Sequence, residues 1–124
     1  MSKTLTLKAL AATLLLAAGL GHAAPPAITN GVMAASNGMT LYTFDKDAAN
    51  SGKSVCNGPC ATLWPPALAM PGDQPAGAYS IVTRDDGAKQ WAYKGKPLYF
   101  YQADQKAGER NGDNFKDVWH IVKD

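Results

Sequence analysis

The chain has two cysteines, two histidines and a single glutamate in 124 residues, and each scarcity excludes a class of chemistry. Cys56 and Cys60 are the only thiols, and His120 is the only histidine past residue 23. A zinc set of four cysteines, or of two cysteines and two histidines, therefore cannot be assembled. The C-x3-C spacing is neither the C-x-x-C of thioredoxin-like pairs nor the C-x-x-C-H of haem attachment. The sequence holds no G-x-S-x-G, no P-loop and no G-x-G-x-x-G. His120 stands among apolar neighbours in Val118 to Val122 (VWHIV), the setting of a strand residue rather than of a general base. No catalytic residue set emerges, and the expectation is a protein that is not an enzyme. No window of ten or more residues keeps a 3.6-residue apolar period, which argues against long helices.

Charge is also scarce, at 18% of residues, while 46% are apolar, too many for a disordered chain. Lys3 and Lys8 precede a 12-residue apolar run, Ala9 to Leu20, followed by small residues at Gly21-His22-Ala23. This is the pattern of a secretory signal over residues 1–23, and twelve residues fall short of the roughly 20 that span a bilayer. Without Lys3 and Lys8 the chain carries ten basic and ten acidic side chains. That balance excludes the basic excess on which nucleic-acid and anionic-membrane binding depend. No cysteine lies near the cleavage point, so no lipid-attachment site and no stable membrane anchor are expected. The expected location is periplasmic or secreted, where an even pair of cysteines is oxidised. Asn57-Gly58-Pro59 is turn chemistry able to bring Cys56 and Cys60 within disulfide reach. A structural Cys56–Cys60 bridge is expected.

What the sequence has in quantity is turn-forming residues, twelve Gly and eight Pro. Asn37-Gly38, Asp86-Gly87 and Lys94-Gly95 each lie between short β-prone runs, the first of these taken as Ala27 to Ala35. Residues 24–124 therefore read as a single all-β domain, a small antiparallel meander of hairpins. The domain is internally repeated: residues 38–47 (GMTLYTFDKD) match residues 95–104 (GKPLYFYQAD), and Trp64 corresponds to Trp119. The two units span about 30–66 and 79–122. The motif Y-x-[FWY]-x-x-D thus occurs as Tyr42, Phe44, Asp47 and as Tyr99, Tyr101, Asp104. Between the copies runs Cys56-Asn-Gly-Pro-Cys60-Ala-Thr-Leu-Trp64-Pro65-Pro66. Together these resemble the bacterial secreted-repeat family of "lipoproteins with Yx(FWY)xxD motif". The resemblance implies a small exported repeat protein with no established activity.

Strand alternation places Tyr42 with Phe44, and Tyr99 with Tyr101, on one face, with Leu41 and Leu98 on the other. Both faces being apolar, both are expected to be covered, with Leu41, Leu98, Trp64, Trp91, Trp119 and Ile121 forming the core. The aromatics read first as core, and second as a surface for a planar or sugar-like ligand. Asp47 and Asp104 end strands at polar loops, where a carboxylate caps backbone amides. Their other reading, a cation site, lacks EF-hand spacing, because Ala49 and Asn50 occupy required positions. No metal or cofactor is expected. Two functions remain: a non-catalytic binding or structural module for an unidentified ligand or protein partner, and a copper-handling or redox protein. The second would use Cys56 and Cys60 with His120 and Met33, Met39 or Met70, soft donors suited to Cu(I).

Overall fold

Two-residue turns carrying left-handed glycines set the architecture. The computed structural model describes residues 25–123, so the expected signal segment, residues 1–23, lies outside the described residues. Its strands are β1 (Ala27–Thr29), β2 (Val32–Ala34), β3 (Tyr42–Phe44), β4 (Tyr79–Thr83), β5 (Lys89–Tyr93), β6 (Lys96–Pro97) and β7 (Trp119–Ile121). A five-residue helix, α1 (Pro59–Leu63), and a 3-10 turn at Phe115–Asp117 complete the described elements. Strands pair antiparallel as β1-β2, β3-β7 and β4-β5-β6. The domain is all-β apart from these short helical pieces.

Asn37-Gly38 closes its hairpin with Ala35 N donating to Met39 O at 3.0 Å, and Asn37 Oδ1 accepting from Met39 N at 2.9 Å. Asp86-Gly87 joins β4 to β5 in the same way, with Asp86 Oδ1 accepting from Ala88 N at 2.9 Å. Lys94-Gly95 sets Tyr93 opposite Lys96, which carries Leu98 opposite Trp91, as the sequence requires of a two-residue loop. One expectation is corrected. Ala27 to Ala35 is two strands, because Asn30 and Gly31 both take positive φ, 53° and 83°, and fold β1 back on β2.

The two units are related by a local twofold axis. Tyr42 and Tyr99 lie opposite each other and exchange both backbone bonds, at 2.8 and 2.9 Å. Away from that pair the bonds recur in matched sets. Asp45 N donates to Val118 O and Gln102 N to Leu63 O, each at 2.8 Å. Met33 N donates to Val122 O and Trp91 N to Ala67 O, again at 2.8 Å. Each unit's Leu-Tyr strand therefore pairs with the closing segment of the other unit, and the units interlock rather than stack.

Two apolar clusters result. Tyr42, Phe44, Cys56, Trp64, Tyr99 and Trp119 form one, and Met33, Leu41, Ala67, Trp91 and Leu98 the other. This is the two-faced burial that alternation implies. Of the expected core residues only Ile121 is half-buried, packed against the margin of the first cluster.

Leu41 and Leu98 are fully buried. Leu41→Ala and Leu98→Ala are each expected to cost about 3 kcal/mol in a denaturant titration. Because the units interlock, tryptophan fluorescence and circular dichroism should report one coincident transition in both variants. Two separated transitions would contradict the interlock.

Candidate functional site

The most ordered polar chemistry lies where the two motif copies meet. A strand followed by a tight turn carries each aspartate inward, with Asp47 N donating to Phe44 O and Asp104 N to Tyr101 O. Both carboxylates are buried, 1% and 7% exposed. Each does what its sequence position suggests and accepts a loop amide: Val55 N to Asp47 Oδ1 at 2.7 Å, Asn111 N to Asp104 Oδ1 at 2.9 Å. The second oxygen of each takes a tyrosine hydroxyl from the opposite unit. Tyr42 donates to Asp104 at 2.6 Å and Tyr99 donates to Asp47 at 2.5 Å. Within each motif copy, tyrosine and aspartate are five residues apart, yet each bonds its counterpart more than fifty residues away.

The aromatics exchange in the same sense. Trp64 and Trp119 stack face to face at 3.8 Å and 2° across the axis. Phe44 covers the outer face of Trp119 at 4.2 Å, and Tyr101 covers Trp64 at 4.1 Å. Tyr42 and Tyr99 meet Trp64 and Trp119 edge-on, at 5.4 and 5.1 Å. Such contacts stabilise by about 0.5–1.5 kcal/mol each beyond their burial. With Trp64 and Trp119 only 2% and 4% exposed, the tryptophan stack is core. The glycine that opens each motif serves this packing. A Cβ on Gly38 would meet Ala107 at 2.9 Å, and one on Gly95 would collide with Asn50, in the matching loop of the other unit.

The two Tyr–Asp pairs differ in what lies behind them. Arg84, 5% exposed, donates to Ser54 Oγ at 2.9 Å, Gln90 Oε1 at 2.8 Å and Cys56 O at 2.7 Å. The Ser54 hydroxyl donates to the Tyr99 oxygen at 2.6 Å, since the Tyr99 hydroxyl itself donates to Asp47. A directed chain of hydrogen bonds thus links a buried guanidinium to a buried carboxylate. At the other pair the Tyr42 oxygen accepts from Gly112 N at 3.2 Å. Burial, reinforced by the carboxylate each one faces, holds both Tyr42 and Tyr99 far above the ordinary phenol pKa.

Cys56 and Cys60 are joined in a disulfide, with Cα atoms 5.2 Å apart, across the Asn57-Gly58-Pro59 turn that starts α1. Cys56 is fully buried against the aromatic stack. Met33 packs in the opposite cluster, away from this pair, and Met70 is largely exposed. His120 is half-exposed, its ring bonded to Asp45 Oδ2 at 2.8 Å and Asn114 Oδ1 at 3.1 Å. Among the described residues no three His, Cys, Asp or Glu side chains converge as metal ligands.

Arg84, Ser54 and Gln90 were not legible as partners of the motif. Their only trace in sequence is a rare residue, one of two arginines, directly before Asp85-Asp86-Gly87.

Comparison with known families bears on this arrangement. The model of a family described as "secreted repeat of unknown function" matches the chain twice, over residues 29–68 and 80–123. The chain belongs to that family. The two matches are the two interlocked units, and the exported character of the protein follows from the family description. No match was found among curated proteins or among solved structures.

Two outcomes follow from the buried pairs. Tyr42→Phe and Tyr99→Phe should each destabilise by about 1–3 kcal/mol, because a buried carboxylate oxygen loses its donor. The folded chain also keeps two phenol protons that the unfolded chain releases above about pH 10. Stability contributed by these groups is therefore fully present below about pH 10. It should fall above that, by up to about 1.4 kcal/mol per pH unit for each tyrosine. Denaturant midpoints measured from about pH 8 to about pH 11.5 should show that decline, shallower in either phenylalanine variant.

Proposed function

We propose that the protein is a non-catalytic binding or structural module of the periplasm or cell exterior, working without a metal or organic cofactor. The observation that carries this reading is the engagement of the motif in the fold itself. The hydroxyls of Tyr42 and Tyr99 and the carboxylates of Asp47 and Asp104 satisfy one another across the units. Groups spent in this way are architecture, and recognition falls to the loops and grooves that the interlocked units display. The balanced charge of residues 24–124 supports a partner other than nucleic acid or an anionic membrane surface. The lack of a cysteine near the expected cleavage point supports a chain with no stable anchor once the signal segment is removed.

The copper-handling alternative draws on the same cysteines, and their state decides between the two. The Cys56–Cys60 bridge removes both thiolates that Cu(I) would need. Protein isolated from its own compartment without reductant should have a mass two hydrogens below the dithiol form. It should show no alkylatable thiol and take up no stoichiometric Cu(I). Two free thiols with a bound copper released on their alkylation would overturn the module reading in favour of copper handling.

A further inference from the structure

One groove has chemistry that the twofold architecture does not require. It is about 270 Å³ in volume and lies between units, with Thr29, Val32, Met33 and Thr40 on one side and the Ala107–Arg110 loop on the other. Thr40 lies at its inner end, 3% exposed, and its hydroxyl has no hydrogen-bond partner among the described residues. An unpartnered buried hydroxyl is costly, and native structures rarely keep one without a use.

The internal repeat supplies the control. Fifty-seven residues on, the position equivalent to Thr40 is Pro97, fully buried with no polar side-chain atom. The fold therefore accepts an apolar residue here, and the Thr40 hydroxyl answers to something other than packing.

At the groove's outer end stands Arg110, the second of the two arginines. Whereas Arg84 is consumed by Ser54, Gln90, Cys56 and Asn57, the Arg110 guanidinium has no hydrogen-bond or ion-pair partner among the described residues. The neighbouring Glu109 does not neutralise it, being turned onto the amides of Gln105 and Lys106. No acidic residue lines the groove, and its wall at Val32 and Ala34, which share one face of β2, is apolar.

We infer that this groove binds a small organic carboxylate, held by the Arg110 guanidinium and the Thr40 hydroxyl with its apolar body against Val32 and Ala34. A planar guanidinium presents the paired donors that a carboxylate accepts. The apolar walls favour an organic anion over bare phosphate. The volume suits a ligand smaller than the drug-sized occupants of clefts of about 300–1,000 Å³. The inference rests on the binding-module reading and specifies its ligand class.

Amide chemical shifts of the exported, disulfide-closed chain, titrated separately with benzoate, phosphate and benzyl alcohol, test it. Benzoate should give saturable shifts centred on Gly38, Thr40, Gly108 and Arg110, and benzyl alcohol none. Arg110→Gln should weaken benzoate at least about tenfold, the loss of one charge-assisted contact. Thr40→Val should weaken it severalfold while leaving the melting temperature of the free protein unchanged or raised. No saturable benzoate binding, or binding indifferent to both substitutions, overturns the site. Phosphate binding at least as tightly as benzoate overturns its organic character. A lower melting temperature for free Thr40→Val shows that the hydroxyl is already partnered and overturns its assignment. The copper-uptake and thiol results read other atoms, so failure of this site and failure of the module reading are distinguishable.

Discussion

A carboxylate taken out of water must find hydrogen bonds in the interior, and this small domain takes in two. Asp47 and Asp104 each draw one donor from their own loop and a tyrosine hydroxyl from the opposite unit. A unit on its own would bury an aspartate short of a partner, or leave it in water with its turn unformed. The same exchange governs the tryptophans, since Trp64 and Trp119 cover each other's faces. Neither half of the polar network nor half of the ring stack is satisfied alone. A domain of this size has a modest core. Interlocking lets its two units share one.

This constraint explains the spacing Y-x-[FWY]-x-x-D. Tyrosine and the following aromatic must share a strand face, which fixes them two apart. The tyrosine reaches one neighbour's carboxylate while the aromatic reaches that same neighbour's tryptophan. The aspartate comes three residues after the aromatic because a turn closed by its amide onto the aromatic's carbonyl must intervene, as at Phe44 and Tyr101. The glycine ahead of Leu-Tyr admits the loop that follows the opposite aspartate, with Gly108 N bonded to Gly38 O and Asn50 N to Gly95 O. Every residue of the motif is thus fixed by a contact with the other copy.

The sequence made the hairpins, the two-faced strands and the repeat legible, because turn chemistry and alternation are local properties. It also located the disulfide, since the compartment and a turn-forming C-x3-C spacing together suffice. It did not reveal that Tyr42 answers Asp104 rather than Asp47, because the spacing within a motif copy is silent on which copy pairs with which. Arg84 was invisible for a related reason. Its partners Ser54, Gln90 and Cys56 are scattered over the chain. The register of β4 against β5 brings in Gln90, and only the tertiary packing of the loop before α1 brings in Ser54 and Cys56. The Asn30-Gly31 turn was legible in principle and hidden by the apolar residues around it.

Where the two units differ, the differences have separate physical origins. Unit one closes its loop before Trp64 with a covalent bridge and a helical turn; unit two reaches Trp119 through a 3-10 turn in which Asn114, Lys116 and Asp117 all hold positive φ. One loop is restrained by a bond, the other by Asp113, whose carboxylate accepts Ile121 N, and by Asn114, whose amide donates to Trp119 O. Likewise one Tyr–Asp pair is backed by a guanidinium and the other by a single backbone amide. The shared elements are those that lie on the axis, where a change in one unit alters the packing of both. Away from the axis each unit meets only its own local demands. Departures from symmetry concentrate there, and the Thr40 position, where its counterpart is Pro97, is one of them. In a scaffold whose motif is committed to joining its own two units, such asymmetric positions are what remain free to recognise something else.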